Sequence, residues 1–119
     1  MRTNRIVVYL ATPMRKGDWR ANIVNASLIA ADLMEMGFSV INPVGSWLPD
    51  LVAPLTIDQW LANDYGLIEA SDCVYRVEGV SEGADKECYH AQQNGIPIFY
   101  DLESLCMEYI DDLICTGIV

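Results

Sequence analysis

The sequence predicts an α/β fold: one parallel sheet of four to five strands with helices on both faces. Two observations carry this. Short β-branched apolar runs alternate with longer segments whose apolar residues recur at helical spacing, in the order βαβαβαβα. The first run, Arg5-Ile-Val-Val-Tyr-Leu-Ala11, is almost continuously apolar, the pattern of a strand covered on both faces. Right-handed crossovers then close a single parallel sheet.

Each element has its own signal. Arg5–Ala11 is the first strand, and Thr12-Pro13 ends it. Ile23, Ala26, Ala30, Leu33 and Met34 mark an amphipathic helix over 20–36, with Gly37 as its stop. Phe38–Ile41 is a second, short strand. Residues 42–56 contain Pro43, Gly45, Pro49 and Pro54 and read as a long irregular loop, of a length that is usually functional. Thr56 caps a helix over 57–70, whose apolar face is Ile57, Trp60, Leu61, Tyr65 and Ile68. Cys73–Val77 is the third strand, and 78–83 is a glycine-containing turn. Ala84 to Asn94 is a helix stopped by Gly95. Ile96–Tyr100 is the fourth strand, where Pro97 lacks a donor and so argues for the sheet edge. Leu102, Leu105, Cys106, Tyr109, Ile110 and Leu113 give a last helix over about 102–115. The whole, 1–119, reads as a single domain with its core in 5–100 and no internal repeat.

Composition narrows the function. Of 119 residues, 52% are hydrophobic and 20% charged, enough for one core and one cleft. The net charge of −10 repels phosphate backbones and anionic membrane surfaces, which argues against a nucleic acid polymer or a membrane as partner. No apolar run reaches the roughly 20 residues of a membrane span. The N-terminus reads as lacking a secretion signal, because Arg2 and Arg5 lead into only Ile6–Ala11. The cysteines at 73, 88, 106 and 115 match no zinc or redox spacing, so the expectation is a cytoplasmic protein with reduced, buried thiols. The charge is uneven. Arg2, Arg5, Arg15, Lys16 and Arg20 face only Asp18 in the first 20 residues, a local +4, whereas the remainder carries −14. Such an island either receives a small anion or pairs with acids across the surface.

Ligands of open parallel sheets bind beyond the carboxyl ends of the strands. Three loops are expected there: Thr12–Arg20, Asn42–Thr56 and Glu78–Gly83. Glu87 lies in the first turns of the helix after the third strand, where the helix dipole is expected to lower its pKa and keep it ionised, as a nucleophile requires. Equally, an acid near a helix start stabilises the helix alone. Asp64 falls on the apolar face of its helix, three residues after Leu61 and four before Ile68. Desolvation there raises its pKa toward that of a proton donor, unless it is a structural Asp held by a partner. Tyr9, on the first strand, is either a core tyrosine or a phenol that orients a carboxylate. Two carboxyls in unlike environments are the toolkit of glycosidic cleavage. Trp47, in the long loop, suits stacking on a planar base. Ser81 and Gly83 offer hydroxyl and backbone donors to a phosphate, without the glycine content of a dinucleotide or Walker loop. His90 reads as a packing histidine; no metal and no cofactor is called for.

Four stretches recur together: Val8-Tyr-Leu-Ala-Thr-Pro-Met14, Asp64 followed by Ala-Ser-Asp-Cys73, Ser81-Glu-Gly-Ala-Asp-Lys-Glu87, and Ala91 with Gly95-Ile-Pro97. Together, over residues 5–100, they resemble the nucleoside 2-deoxyribosyltransferase superfamily, in particular its small phage and bacterial relatives. The resemblance implies a flavodoxin-like, Rossmann-like fold. It implies that Glu87 attacks the anomeric carbon to form a ribosyl-enzyme ester, that Asp64 assists departure of the base, and that Tyr9 holds Glu87. Water or a second base then takes the sugar with retained stereochemistry. Ser81 stands where the related 2′-deoxynucleoside 5′-phosphate N-hydrolases contact the 5′-phosphate with a serine. With Arg20 and the rest of the basic island, it points to a nucleoside 5′-monophosphate. Thr12, Pro13, Met14, Gly83 and Ala84 complete the implied substrate contacts. The loop Thr12-Pro-Met-Arg-Lys-Gly17 departs from the glycine- and serine-rich loop of those hydrolases. The resemblance also implies a homodimer or larger homo-oligomer. Two other classes stay open: a module that binds a nucleotide or ADP-ribose-like ligand without cleaving it, and an acidic domain that binds a basic protein.

Overall fold

The computed structural model describes residues 5–14, 17–43 and 54–115. Within them are four strands, β1 (Val7–Ala11), β2 (Ser39–Ile41), β3 (Cys73–Arg76) and β4 (Ile98–Phe99). Five helices accompany them: α1 (Trp19–Met36), α2 (Ile57–Glu69), α3 (Glu82–Gln93), α4 (Leu102–Glu108) and α5 (Ile110–Cys115). The strands form one parallel sheet in the order β2-β1-β3-β4. This is the α/β fold expected, and β4 lies at the edge, as Pro97 required. Pro97 still serves the sheet, because its carbonyl accepts the Val74 N–H at 2.9 Å.

Both faces of β1 are buried, which is why its sequence is continuously apolar. Val8 and Leu10 point to a core layer with Ala30, Leu33, Phe38, Tyr75, Leu105 and Leu113, covered by α1, α4 and α5. Tyr9 and Ala11 point the other way, to Ile68, Val74, Ala84 and Ala91, under α2 and α3. Each large side chain so buried contributes about 1.5–3 kcal/mol.

Caps fix the helix ends. Asp18 accepts from the N–H groups of Arg20 and Ala21, so α1 starts at Trp19. At its end Gly37, at φ 106°, closes the helix while Phe38 N–H returns to the Leu33 carbonyl at 3.0 Å. Thr56 and Gln59 form a reciprocal capping box on α2. Several boundaries depart from expectation. The helix α3 begins at Glu82, not Ala84, because Ser81 caps it. The fourth strand shrinks to Ile98–Phe99. The last helix breaks at Tyr109, whose ring packs edge-on to Phe38 and Phe99 at 6.3 and 5.9 Å. Of the cysteines, Cys73 is buried as expected, whereas Cys88 and Cys106 are half-buried; all three are free thiols.

The strand order reverses between β1 and β3, and there the crevice of such a sheet opens at the carboxyl ends. The two loops leaving those strands touch. Gly79 stands at φ 130°, and a Cβ on it would meet Pro13 Cγ at 2.8 Å. No described helix is long and apolar enough to cross a membrane.

Candidate active site

The site is built from three side chains on three elements. Tyr9 sits mid-β1 with its ring in the layer under α2 and α3, fully buried. Glu87 lies on the inner face of α3 between Ala84 and Ala91, both buried, and is itself only 5% exposed. The Tyr9 hydroxyl donates to Glu87 Oε2 at 2.5 Å, a bond spanning 78 residues of chain. Asp64 comes from the inner side of α2 and is half-buried. Its Oδ1 is buried and makes no hydrogen bond, while the carboxyl as a whole interacts with Glu87, Asn63 and Tyr9.

Electrostatics follow from burial. Glu87 is pushed up to about 8, first by desolvation and then by its hydrogen bond to Asp64, against the opposing pull of the Tyr9 hydroxyl and the Arg76 charge. Asp64 is raised by burial, opposed by its contacts with Glu87, Asn63 and Tyr9. Burial and the two carboxyls raise the Tyr9 phenol, so it remains a donor. The expectation for Glu87 is thus corrected in sign. It is the sixth residue of α3, beyond the reach of the dipole, and desolvation dominates. The elevation expected for Asp64 is present.

Around this pair the rim is assembled from the two touching loops. Thr12 and Pro13 are buried directly after β1, and Met14 is half-buried with its carbonyl near Asn22 Nδ2 at 3.5 Å. Ser81 Oγ accepts the Ala84 N–H at 3.1 Å, so that N–H is taken, and the buried Ala84 side chain serves the core. Gly83 is exposed in the first turn, where helix N–H groups lack internal partners. Arg20 is exposed at the start of α1 with its guanidinium over the Trp19 ring, 5.2 Å from its centre. Trp47 lies outside the described residues. His90 stacks on Tyr65 at 4.2 Å and meets Glu69 at 2.8 Å, the packing role expected of it. Among the described residues no three His, Cys, Asp or Glu side chains converge as metal ligands.

One residue was missed. Arg76 ends β3 on the Tyr9 face, paired in register with Ala11, and bonds to the Val77 and Gly79 carbonyls and to Asp85. A groove of about 370 Å³, lined by Arg76, Val77, Glu78, Gly79 and Tyr100, opens beside it. A slightly larger one, about 400 Å³, runs along the β4 edge past Gln92 and Gly95 and touches none of this chemistry.

A family model described as a domain of unknown function (DUF4406) matches residues 6–100. The chain belongs to the DUF4406 family. The span shared with the family runs from the start of β1 through β4 and holds Tyr9, Asp64, Arg76 and Glu87, while α4 and α5 fall beyond it. Among solved structures, the DUF4406 chain is similar to a 2-deoxyribosyltransferase from the psychrotolerant bacterium Bacillus psychrosaccharolyticus. The two superpose with a TM-score of 0.58 at 19% identity, over 77% of this chain and 69% of the other. The resemblance read from the sequence is thus carried by a shared fold. No curated protein sequence matches the chain.

Proposed function

We propose that this protein cleaves the N-glycosidic bond of a nucleoside or nucleoside 5′-monophosphate through a ribosyl ester on Glu87. The observation that carries the reading is the buried Tyr9–Glu87–Asp64 constellation at the switch point of the sheet. The 2-deoxyribosyltransferase with the same fold supports it.

The raised proton affinities of Glu87 and Asp64 support a proton shared by the two carboxyls, and that proton defines the roles. When substrate binds, that proton resides on Asp64 and Glu87 is the anion. Tyr9 engages Oε2 and leaves Oε1 to attack the anomeric carbon. The carbon–nitrogen bond breaks, its electron pair goes to the base, and Asp64 delivers the proton. In the second half, Asp64 as carboxylate takes a proton from water or from an incoming base, which attacks the same carbon and releases Glu87. Two displacements retain configuration. A 5′-phosphate would lie against the N-terminus of α3, where Ser81 keeps a hydroxyl hydrogen and Glu82 and Gly83 present N–H groups. Thr12, Pro13 and Met14 would border the sugar. We take the active form to be a homodimer or larger.

Incubation with a panel of ribo- and deoxyribonucleosides and their 5′-monophosphates, read by chromatography, tests this. Base release by the wild type that disappears in Glu87→Gln is expected. Full activity in Glu87→Gln removes Glu87 as nucleophile. A second reading, ligand binding without cleavage, draws on the elevated proton affinity of Glu87. It predicts saturable binding with intact ligand recovered.

A further inference from the structure

We propose that Arg76 is a positioning residue of this site: its guanidinium clamps the β3–α3 turn to the first turn of α3, setting where Glu87 meets Tyr9, and brings a cation to the face of the sheet on which Glu87 is buried. The inference rests on the glycosidic reading above for its kinetic part, but not for its titration part.

The geometry is specific. Arg76 is the last residue of β3, on the same face as Val74, the register partner of Tyr9. Its side chain is 11% exposed, so the guanidinium is largely desolvated and its donors must be used. They reach three acceptors on two structural units. One nitrogen bonds the Val77 carbonyl; the other bonds the Gly79 carbonyl at 2.9 Å and Asp85 Oδ1 at 3.0 Å. Val77 and Gly79 form the turn, and Asp85 lies in the first turns of α3, two residues before Glu87. Gly79 in turn abuts Pro13, in the loop that follows Tyr9 and β1. One planar fork therefore ties the β3–α3 turn to the helix that carries Glu87.

Its charge acts on the same group. The buried carboxyl of Glu87 is influenced by Tyr9 from β1, Asp64 from α2 and Arg76 from β3, whose guanidinium is itself paired with Asp85 of α3. Tyr9 and Asp64 supply no positive charge. Arg76 opposes, less strongly than the Tyr9 hydroxyl, the desolvation that raises Glu87. A lysine would retain the charge but, as a compact ammonium, could not hold three acceptors in one plane.

Two variants separate the two functions. In Arg76→Met the charge is gone. The carboxyl stretch of the buried pair, followed by infrared spectroscopy in the free protein as pH rises, should deprotonate at higher pH than in the wild type. The acid limb of the kcat/KM profile for base release should move with it. In Arg76→Lys the titration should stay at its wild-type position while kcat falls about tenfold and KM changes little, because the charge remains and the clamp is lost. A wild-type titration midpoint in Arg76→Met overturns the electrostatic role. Full kcat in Arg76→Lys overturns the positioning role, and still does so should Arg76→Met fail to fold. If the wild type releases no base from any substrate, the glycosidic reading fails, and the infrared titration decides the effect of Arg76 on the pair by itself.

Discussion

The Tyr9–Glu87 bond joins the middle of a strand to the second turn of a helix, and its worth lies in what it does to one oxygen. A neutral phenol donating to a buried carboxylate favours the ionised form, and it is one of the two influences that oppose the elevation of Glu87. Tyr9→Phe keeps the ring and its packing but removes the donor. We expect kcat/KM to fall about 10- to 100-fold and its acid limb to move to higher pH, since Glu87 then holds its proton more tightly. An unmoved limb would show that the phenol only fills space. Asp64→Asn tests the other partner. Asparagine cannot deliver a proton, so the loss should be large for substrates with poorly leaving bases and small for those whose base leaves readily as an anion. Equal losses across such a series would mean that Asp64 only shapes the pocket.

The turn between β3 and α3 is the element on which the site depends. Gly79 combines a left-handed φ of 130° with a 2.8 Å approach to Pro13, so any side chain there strains the backbone and displaces the neighbouring loop. Gly79→Ala should cost about 1–3 kcal/mol in denaturant unfolding. Ser81 is both the cap of α3 and the implied phosphate contact. Ser81→Asp retains capping, because aspartate accepts from the same N–H, but sets a negative charge where the phosphate would sit. It should leave the melting temperature within a few degrees of wild type and raise KM for monophosphates far more than for nucleosides. An equal change for both classes argues against a phosphate at this helix terminus. The same elements show what the sequence makes legible. Burial on both faces of β1 was visible in Ile6–Ala11 because a strand covered twice has no polar positions to spare. Pro97 announced the sheet edge for the same reason of donors. Glu87, Asp64 and Tyr9 were named from spacing and resemblance, yet the sign of the Glu87 shift was not, since a helix position reports the dipole and not the depth of burial. Arg76 is not singled out by charge or spacing, although a cation ending a buried strand is the available signal. The break at Tyr109 has no glycine or proline to mark it; it belongs to packing against Phe38 and Phe99.

At the scale of the whole molecule, stability and site meet at Glu87. Glu87 is held at about 8 in the folded chain, above the ordinary carboxyl value of 4.5. Between those values the folded chain keeps a proton that the unfolded chain releases, so stability falls as pH rises through that window. Below it both states are protonated and the penalty vanishes; above it the penalty is complete, at most a few kcal/mol. A second effect runs in the same direction. With a net charge of −10, the chain repels itself more strongly as its remaining carboxyls ionise. The two are separable because they differ in depth. Surface repulsion is screened within a Debye length of about 3 Å near 1 M salt, whereas a desolvated pair is screened little. Melting temperatures between about pH 5 and about pH 8, taken at low and high salt, should therefore fall with pH in the wild type under both conditions, less steeply at high salt. Glu87→Gln, neutral at every pH and still able to accept from Tyr9, should flatten what remains at high salt and be the more stable protein at the alkaline end. Parallel high-salt profiles for the two proteins would mean that Glu87 is solvated and ordinary. The proton shared with Asp64, on which the proposed chemistry depends, would then be absent from the free protein.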